Sequence, residues 1–148
     1  MKILTFGQTG QVATELQRQA KVIALGRNVA DLADTDTLRA AIVQHAPDVV
    51  INAAAYTAVD RAEEEEPLAL AINGTAPAVM AQACAARGIP FLHVSTDYVF
   101  EGSGPDPWCP GDPVNPQNAY GRTKLAGETG VREAGGRAAI LRTSWVFS

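Results

Sequence analysis

Thiol chemistry is scarce here: only two cysteines occur in 148 residues. Cys84 and Cys109 have no metal-ligand spacing and are too few for a disulfide framework, which fits a reduced, cytoplasmic setting. Cys84 lies in an alanine-rich apolar stretch and reads as a small buried hydrophobe. Basic clusters are missing too. Lys and Arg total 12 against 16 Asp and Glu, for a net charge of −4. No cationic stripe marks a nucleic-acid footprint, so nucleic acid is not an expected partner. No apolar run approaches the roughly 18 residues that span a bilayer, so no membrane partner is expected. Met1-Lys2 leads straight into a strand, with no signal peptide expected ahead of it. Histidine is nearly absent: His45 reads as a helix C-terminal residue and His93 as a packed strand residue.

What remains is aliphatic. Apolar residues make up 47% of the chain, and the length suits a single domain of residues 1–148. Short apolar runs predict strands at Lys2–Phe6, Val22–Leu25, Asp48–Asn52, Ile89–Ser95 and Ala138–Arg142. Between them, periodicity predicts helices over Gln11–Ala20 (Val12, Leu16 and Ala20 on the apolar face), Asp34–His45 (Leu38, Ala41 and Ile42), Pro67–Arg87 and Asn118–Ala134. Gly88 reads as a helix cap. The Gly-, Pro- and Asp-rich segment 101–116 reads as a loop, in which Trp108 either packs locally or covers a substrate. The run Glu63–Glu66 reads as a solvated helix start. Alternating strands and helices predict a Rossmann-type doubly wound α/β fold, a parallel sheet with helices on both faces. Ligands then bind at the carboxyl ends of the strands, so the residues just after each strand carry the functional reading.

Gly7-Gln8-Thr9-Gly10-Gln11-Val12-Ala13 follows the first strand and opens the first helix. Gly7 permits a tight turn, Gly10 lets backbone approach a pyrophosphate, and Ala13 lets the helix pack close to the sheet. The helix N-terminus offers unpaired N–H groups to phosphates. After the second strand, Arg27 stands where an acid would bind the ribose of NAD. It is either a partner for the 2′-phosphate of NADP or a solvated turn residue, and NADPH and NADH both stay open. Asp31 and Leu32 are placed to border the adenine. Ala53, Ala54 and Ala55 are small residues after the third strand that either admit a cofactor or pack a helix.

Tyr120 and Lys124 stand four apart on a predicted helix and so share a face, which by itself marks either a catalytic pair or a solvated helix surface. An ammonium there is expected to lower the phenol's pKa and make it a proton donor. Thr96, past the fourth strand, is either placed to hydrogen-bond a substrate carbonyl as negative charge develops or an ordinary strand-end hydroxyl, and Asp97 is a candidate to meet sugar hydroxyls.

In order along the chain, the glycine loop, Ser95-Thr96-Asp97-Tyr98-Val99-Phe100 and Tyr120-Gly121-Arg122-Thr123-Lys124 resemble the extended short-chain dehydrogenase/reductase superfamily. Adding Pro47–Asp60 and Leu141–Phe147, the resemblance is closer to the dTDP-4-dehydrorhamnose reductase family. It implies NAD(P)H-dependent reduction of the C4 ketone of dTDP-4-dehydro-L-rhamnose, with a dTDP-sugar as substrate. It further implies Gly10, Gln11 and Val12 at the pyrophosphate and Ala55, Tyr56 and Thr57 along the cofactor. Thr96, Asp97 and Trp145 would touch the sugar, with Tyr120 as proton donor and Lys124 as its partner. Some members bind magnesium at a dimer contact; Glu15 matches one acidic ligand, which makes Mg2+ and a homodimer expectations, against an ordinary exposed glutamate. Family members continue beyond the position of Ser148, so the chain is expected to be an N-terminal part that keeps cofactor binding with weak or no turnover. Two other readings stay open: a non-catalytic NADP-binding regulatory subunit, and a related nucleotide-sugar reductase or epimerase.

Overall fold

The structure is a computed structural model that describes residues 1–146; Phe147, the last residue of the Leu141–Phe147 stretch, and Ser148 lie outside the described residues. In chain order the elements are β1 (Ile3–Phe6), α1 (Gln11–Gln19), β2 (Val22–Leu25), α2 (Thr35–His45), β3 (Val49–Asn52), α3 (Val59–Glu64), α4 (Glu66–Leu70), a π turn (Ala71–Thr75), α5 (Ala76–Ala85), β4 (Phe91–Thr96), a 3₁₀ turn (Asp97–Val99), α6 (Ala119–Glu133) and β5 (Ala138–Thr143). All five strands are parallel, in the order β2-β1-β3-β4-β5. The chain leaves β1 toward β2, then returns past β1 to β3. Between β1 and β3 lies the switch point where the fold opens a crevice.

Right-handed crossovers put α1 on one face and α2, α5 and α6 on the other. Those three helices pack side by side. They enclose one core in which Leu4, Phe6, Val50 and Phe91 from the sheet meet Leu38, Ile42, Met80, Cys84 and Val131. The α2 stripe is as its periodicity predicts: Leu38, Ala41 and Ile42 are buried, and Asp34 caps the helix by accepting from the Asp36 N–H. Helix α1 departs from expectation. Its buried residue is Ala13, while Val12 and Leu16 are half-buried and Ala20 is exposed.

The long helix also differs. Helical structure begins at Val59, ahead of the expected Pro67, and a π turn interrupts it. Pro77 explains the interruption: it has no N–H for the carbonyl of Asn73, four residues back, and its ring crowds that carbonyl. The freed Asn73 carbonyl lies against α6 at Gly127, where a Cβ would collide with it. From Glu66 to Ala85 the stretch runs 20 residues and is long and apolar enough to cross a bilayer, contrary to the expectation of no such run. Half of it is buried against its neighbours, so here it serves as the central core helix. It ends as expected, with Gly88 at φ +67° and the Gly88 and Ile89 N–H groups returning to Ala85 and Cys84. Burial pushes the Cys84 thiol up to about 12, which suits an inert core residue.

Candidate active site

Two adjoining cavities form one cleft along the carboxyl ends of β1, β3 and β4, sharing Gly10, Ala53, Ala54, Ala55 and Thr57 on their walls. The larger, about 830 Å³, is lined by Gly7, Gly10, Arg27, Asp31, Leu32 and Tyr56 among others. The smaller, about 460 Å³, is lined by Gln11, Val12, Thr96, Asp97, Tyr120, Lys124 and Trp145 among others. Every cofactor- and substrate-binding residue expected from the sequence therefore lies on this cleft. Glu15 lies on neither cavity wall.

The backbone at the glycine loop explains its composition. Gly7 has φ +113°, and a Cβ on it would press on the Ala53–Ala54 peptide at 3.3 Å. Gly10 faces open space, with nothing within 4 Å of where a Cβ would stand, and it caps α1 without a side-chain hydrogen bond. The first N–H groups of α1 thus point into the cleft unclaimed by a cap, a cradle that fits a pyrophosphate. At the far end Arg27 is mostly exposed and pairs with Asp31 at 3.2 Å. The Ala33 N–H, at 2.9 Å, holds Asp31 below the usual carboxylate range despite some desolvation, and Arg27 assists.

Tyr120 and Lys124 do share a face of α6, but the phenol's pKa is corrected by the structure. Burial raises it, the neighbouring Thr96 hydroxyl works the other way, and Asp97 and Tyr98 raise it further. Lys124 does not lower it, because the ammonium points inward and donates to the Val94 carbonyl at 2.7 Å. Lys124 is itself buried, which brings it down to about 8, opposed by the negative charge of Glu128. One acceptor for three N–H donors leaves capacity for a cofactor hydroxyl. Thr96 is committed as well: its hydroxyl donates to Asp97 Oδ1 at 3.1 Å and accepts from the Tyr98 N–H at 3.2 Å. Asp97 Oδ2 accepts from the Ser144 hydroxyl at 2.7 Å, tying the ends of β4 and β5 together. The ring of Tyr98 meets Tyr120 edge-on at 5.5 Å. Trp145 stands at the rim, 87% exposed, with φ +48°.

Several side chains that shape the site carry no sequence signal strong enough to single them out. Glu63–Glu66 is not a plain solvated run. Glu63 accepts from the Ala119 N–H at 2.6 Å, Glu65 from the Tyr56 hydroxyl at 2.5 Å and from Arg61, and Glu66 from Arg122 through two bonds of 2.9 and 3.0 Å. These carboxylates dock the Tyr56 loop and the first turn of α6. Asn73, in the π turn, accepts from the Tyr56 N–H, donates to its carbonyl and donates to the Thr123 hydroxyl. His93 is fully buried, as its strand position suggests; burial and the nearby Lys124 bring it down to about 3, with Glu128 opposing. Trp108 stacks on Phe100 at 5.0 Å, a packing role within its loop. Glu15 is paired with Arg18 at 2.5 Å, and among the described residues no group of three His, Cys, Asp or Glu side chains is placed to hold a metal ion.

The chain matches the RmlD substrate-binding domain family over residues 1–148. It is 47% identical to a dTDP-4-dehydrorhamnose reductase of Burkholderia thailandensis and 42% identical to one of Escherichia coli. Each match takes in 100% of this chain, and 51% and 52% of the respective relative. Among solved structures, a dTDP-4-dehydrorhamnose reductase of Clostridium acetobutylicum superposes with a TM-score of 0.95 at 40% identity, over 99% of this chain and 54% of that one. A Bacillus anthracis dTDP-4-dehydrorhamnose reductase in complex with NADP gives 0.94 at 32% identity, over 99% of this chain and 55% of that one. The chain spans about half the length of the relatives it matches. With its parallel sheet, its glycine cradle and a match along its whole length, this chain belongs to the RmlD substrate-binding domain family.

Proposed function

We propose that this chain carries the cofactor-binding and proton-donating part of an NAD(P)H-dependent reductase that turns the C4 ketone of dTDP-4-dehydro-L-rhamnose into the alcohol of dTDP-L-rhamnose. The observation that carries the reading is a shared wall: Tyr120, Lys124 and Thr96 line the cavity that also opens onto Gly10 and the N-terminus of α1. The names of the relatives and the NADP held by the Bacillus anthracis structure support the choice of substrate and cofactor.

When bound, NAD(P)H supplies hydride to the ketone carbon. In this reading Gly10, Gln11 and Val12 hold the pyrophosphate, Gly7 admits the turn, and Asp31 and Leu32 border the adenine. Ala53, Ala54, Ala55, Tyr56 and Thr57 flank the cofactor between its two ends. Tyr120 gives its hydroxyl proton to the ketone oxygen as that oxygen gains charge. Thr96 steadies the same oxygen by turning its hydroxyl donor from Asp97 to it, and Lys124 offers its free N–H donors to the nicotinamide ribose. Asp97 and Trp145 meet the sugar. Gly26-Arg27-Asn28 places no carboxylate at the end of β2, and the Arg27 guanidinium there favours NADPH while still admitting NADH. Magnesium and a homodimer rest on Glu15; sedimentation with and without added magnesium tests both. A cytoplasmic location accompanies the cofactor assignment.

Calorimetric titration with NADPH and NADH is the direct test, and saturable binding of at least one is expected. Binding of neither overturns the reading. With the dTDP-sugar added, Tyr120→Phe is expected to keep cofactor affinity within about twofold and abolish whatever ketone reduction the parent shows. Full reduction by Tyr120→Phe removes the phenol from the chemistry.

A further inference from the structure

Glu128 takes no part in the reduction proposed above, yet its side chain is fully buried one turn beyond Lys124 on α6. Oε1 accepts from the Ser95 hydroxyl at 2.7 Å and from Arg142 Nε at 2.9 Å; Oε2 accepts from terminal guanidinium nitrogens of Arg142 at 2.7 Å and Arg132 at 3.0 Å. Burial pushes this carboxyl up, but Arg142 and Ser95 outweigh burial and hold it below the usual range. Stability alone is a weak reason for such a cluster, because well-packed apolar side chains of similar volume serve as well or better than a buried ion pair.

The geometry shows what the carboxylate grips. Successive turns of α6 hold successive residues of β4: Lys124 holds the Val94 carbonyl and Glu128 holds the Ser95 hydroxyl. Thr96 follows directly. Through the two-pronged bond to Arg142, the same carboxylate holds β5 one residue before Thr143, which lines the cavity with Tyr120 and Lys124. Arg142 extends the tie to the Pro110 carbonyl at 3.1 Å and lies 4.7 Å over the Phe100 ring. The titratable groups that act on Lys124 are Glu128 from its own helix and His93 from β4; His93 is neutral above about pH 3, so Glu128 supplies the opposing charge at neutral pH.

We propose that Glu128 is a positioning residue of this site: it pins the helix of Tyr120 and Lys124 to the ends of β4 and β5 and sets a negative charge against the Lys124 ammonium. The inference rests on reading the cleft as a dinucleotide site, where a charged Lys124 has a ribose to hold.

The test follows the Lys124 ammonium directly, by NMR titration of the chain with isotope-labelled lysine, the signal being assigned through its loss in Lys124→Met. Glu128→Gln is expected to lower the Lys124 midpoint by about half a pH unit or more, because an opposing charge is removed. Glu128→Asp keeps the charge and leaves the midpoint near its parent value. Arg142→Met leaves Glu128 less neutralised and moves the midpoint up, which keeps the test alive if Glu128→Gln does not fold. A parallel NADPH titration against pH is expected to lose affinity at a lower pH in Glu128→Gln than in the parent. Unmoved lysine midpoints, or an NADPH loss equal at every pH, make Glu128 an ion pair of structural value alone and overturn the proposal. NADPH failing to bind the parent chain at any pH overturns the cofactor reading instead, while the lysine midpoints still decide the part played by Glu128.

Discussion

Lys124 and Tyr120 lie one turn apart on the same face of α6, but the ammonium is bonded to the Val94 carbonyl at 2.7 Å and leaves the phenol's pKa to burial. The pair that looks like an activated acid in the sequence is, without a cofactor, a buried cation beside a protonated phenol.

Burying that cation has a pH signature. Lys124 falls from 10.5 to about 8 on folding. Below pH 8 both folded and unfolded chains carry the proton and the desolvation penalty is fully present. Between about 8 and 10.5 the unfolded chain holds more protons, so stability rises with pH. The unfolding free energy of the parent relative to Lys124→Met should therefore climb from pH 8 to 10, by on the order of 2 kcal/mol. Urea unfolding of both proteins across that range checks it; a flat difference contradicts a buried, charged Lys124.

His93 gives a slope of the same sign in acid, since it too is a cation disfavoured by burial. Its pKa is lowered from 6.5 to about 3 by burial, its stabilising neutral form is intact above pH 6.5, and that stability drains away as pH falls toward 3. Relative to His93→Leu, the parent should lose about 2 kcal/mol between pH 6.5 and 5. Denaturant melts at the two values measure this, and equal acid sensitivity in the two proteins would count against a neutral buried imidazole.

Two glycines separate binding from stability. At Gly10 a methyl group meets nothing, and φ is −70°, so Gly10→Ala should melt like the parent. That methyl enters the phosphate cradle and should weaken NADPH by about tenfold or more, some 1.4 kcal/mol. At Gly127 a methyl group strikes the Asn73 carbonyl and Pro77, so Gly127→Ala should lower stability by about 1–3 kcal/mol. Thermal melts and cofactor titrations on both variants read the contrast, and a Gly127→Ala protein as stable as the parent removes the close-packing argument.

Arg27 bears on the choice of dinucleotide. If its guanidinium meets the 2′-phosphate, Arg27→Ala should weaken NADPH by about tenfold while leaving NADH nearly unchanged, the difference being one charge-assisted contact. Equal effects on both cofactors return Arg27 to an exposed turn residue paired with Asp31.

Much was legible before folding. The order of strands and helices, the Gly7–Ala13 loop between strand and helix, the α2 stripe and the shared face of Tyr120 and Lys124 follow from periodicity and turn chemistry, which depend on residues a few positions apart. Resemblance added the roles, which geometry by itself would have left open. What the tertiary structure alone decided involves partners far apart in sequence. Glu66 meets Arg122 across 56 residues, Ser95 meets Glu128 across 33, and Tyr56 meets Asn73 across 17. Whether a glutamate is solvated or clamps a helix, and whether a lysine faces a phenol or a carbonyl, depends on which elements the crossovers bring side by side. No local pattern encodes that. The π turn is not foreseen, since the long helix reads as unbroken in the sequence: Pro77 removes a hydrogen bond locally, but the packing of Gly127 on α6 shows where the Asn73 carbonyl goes.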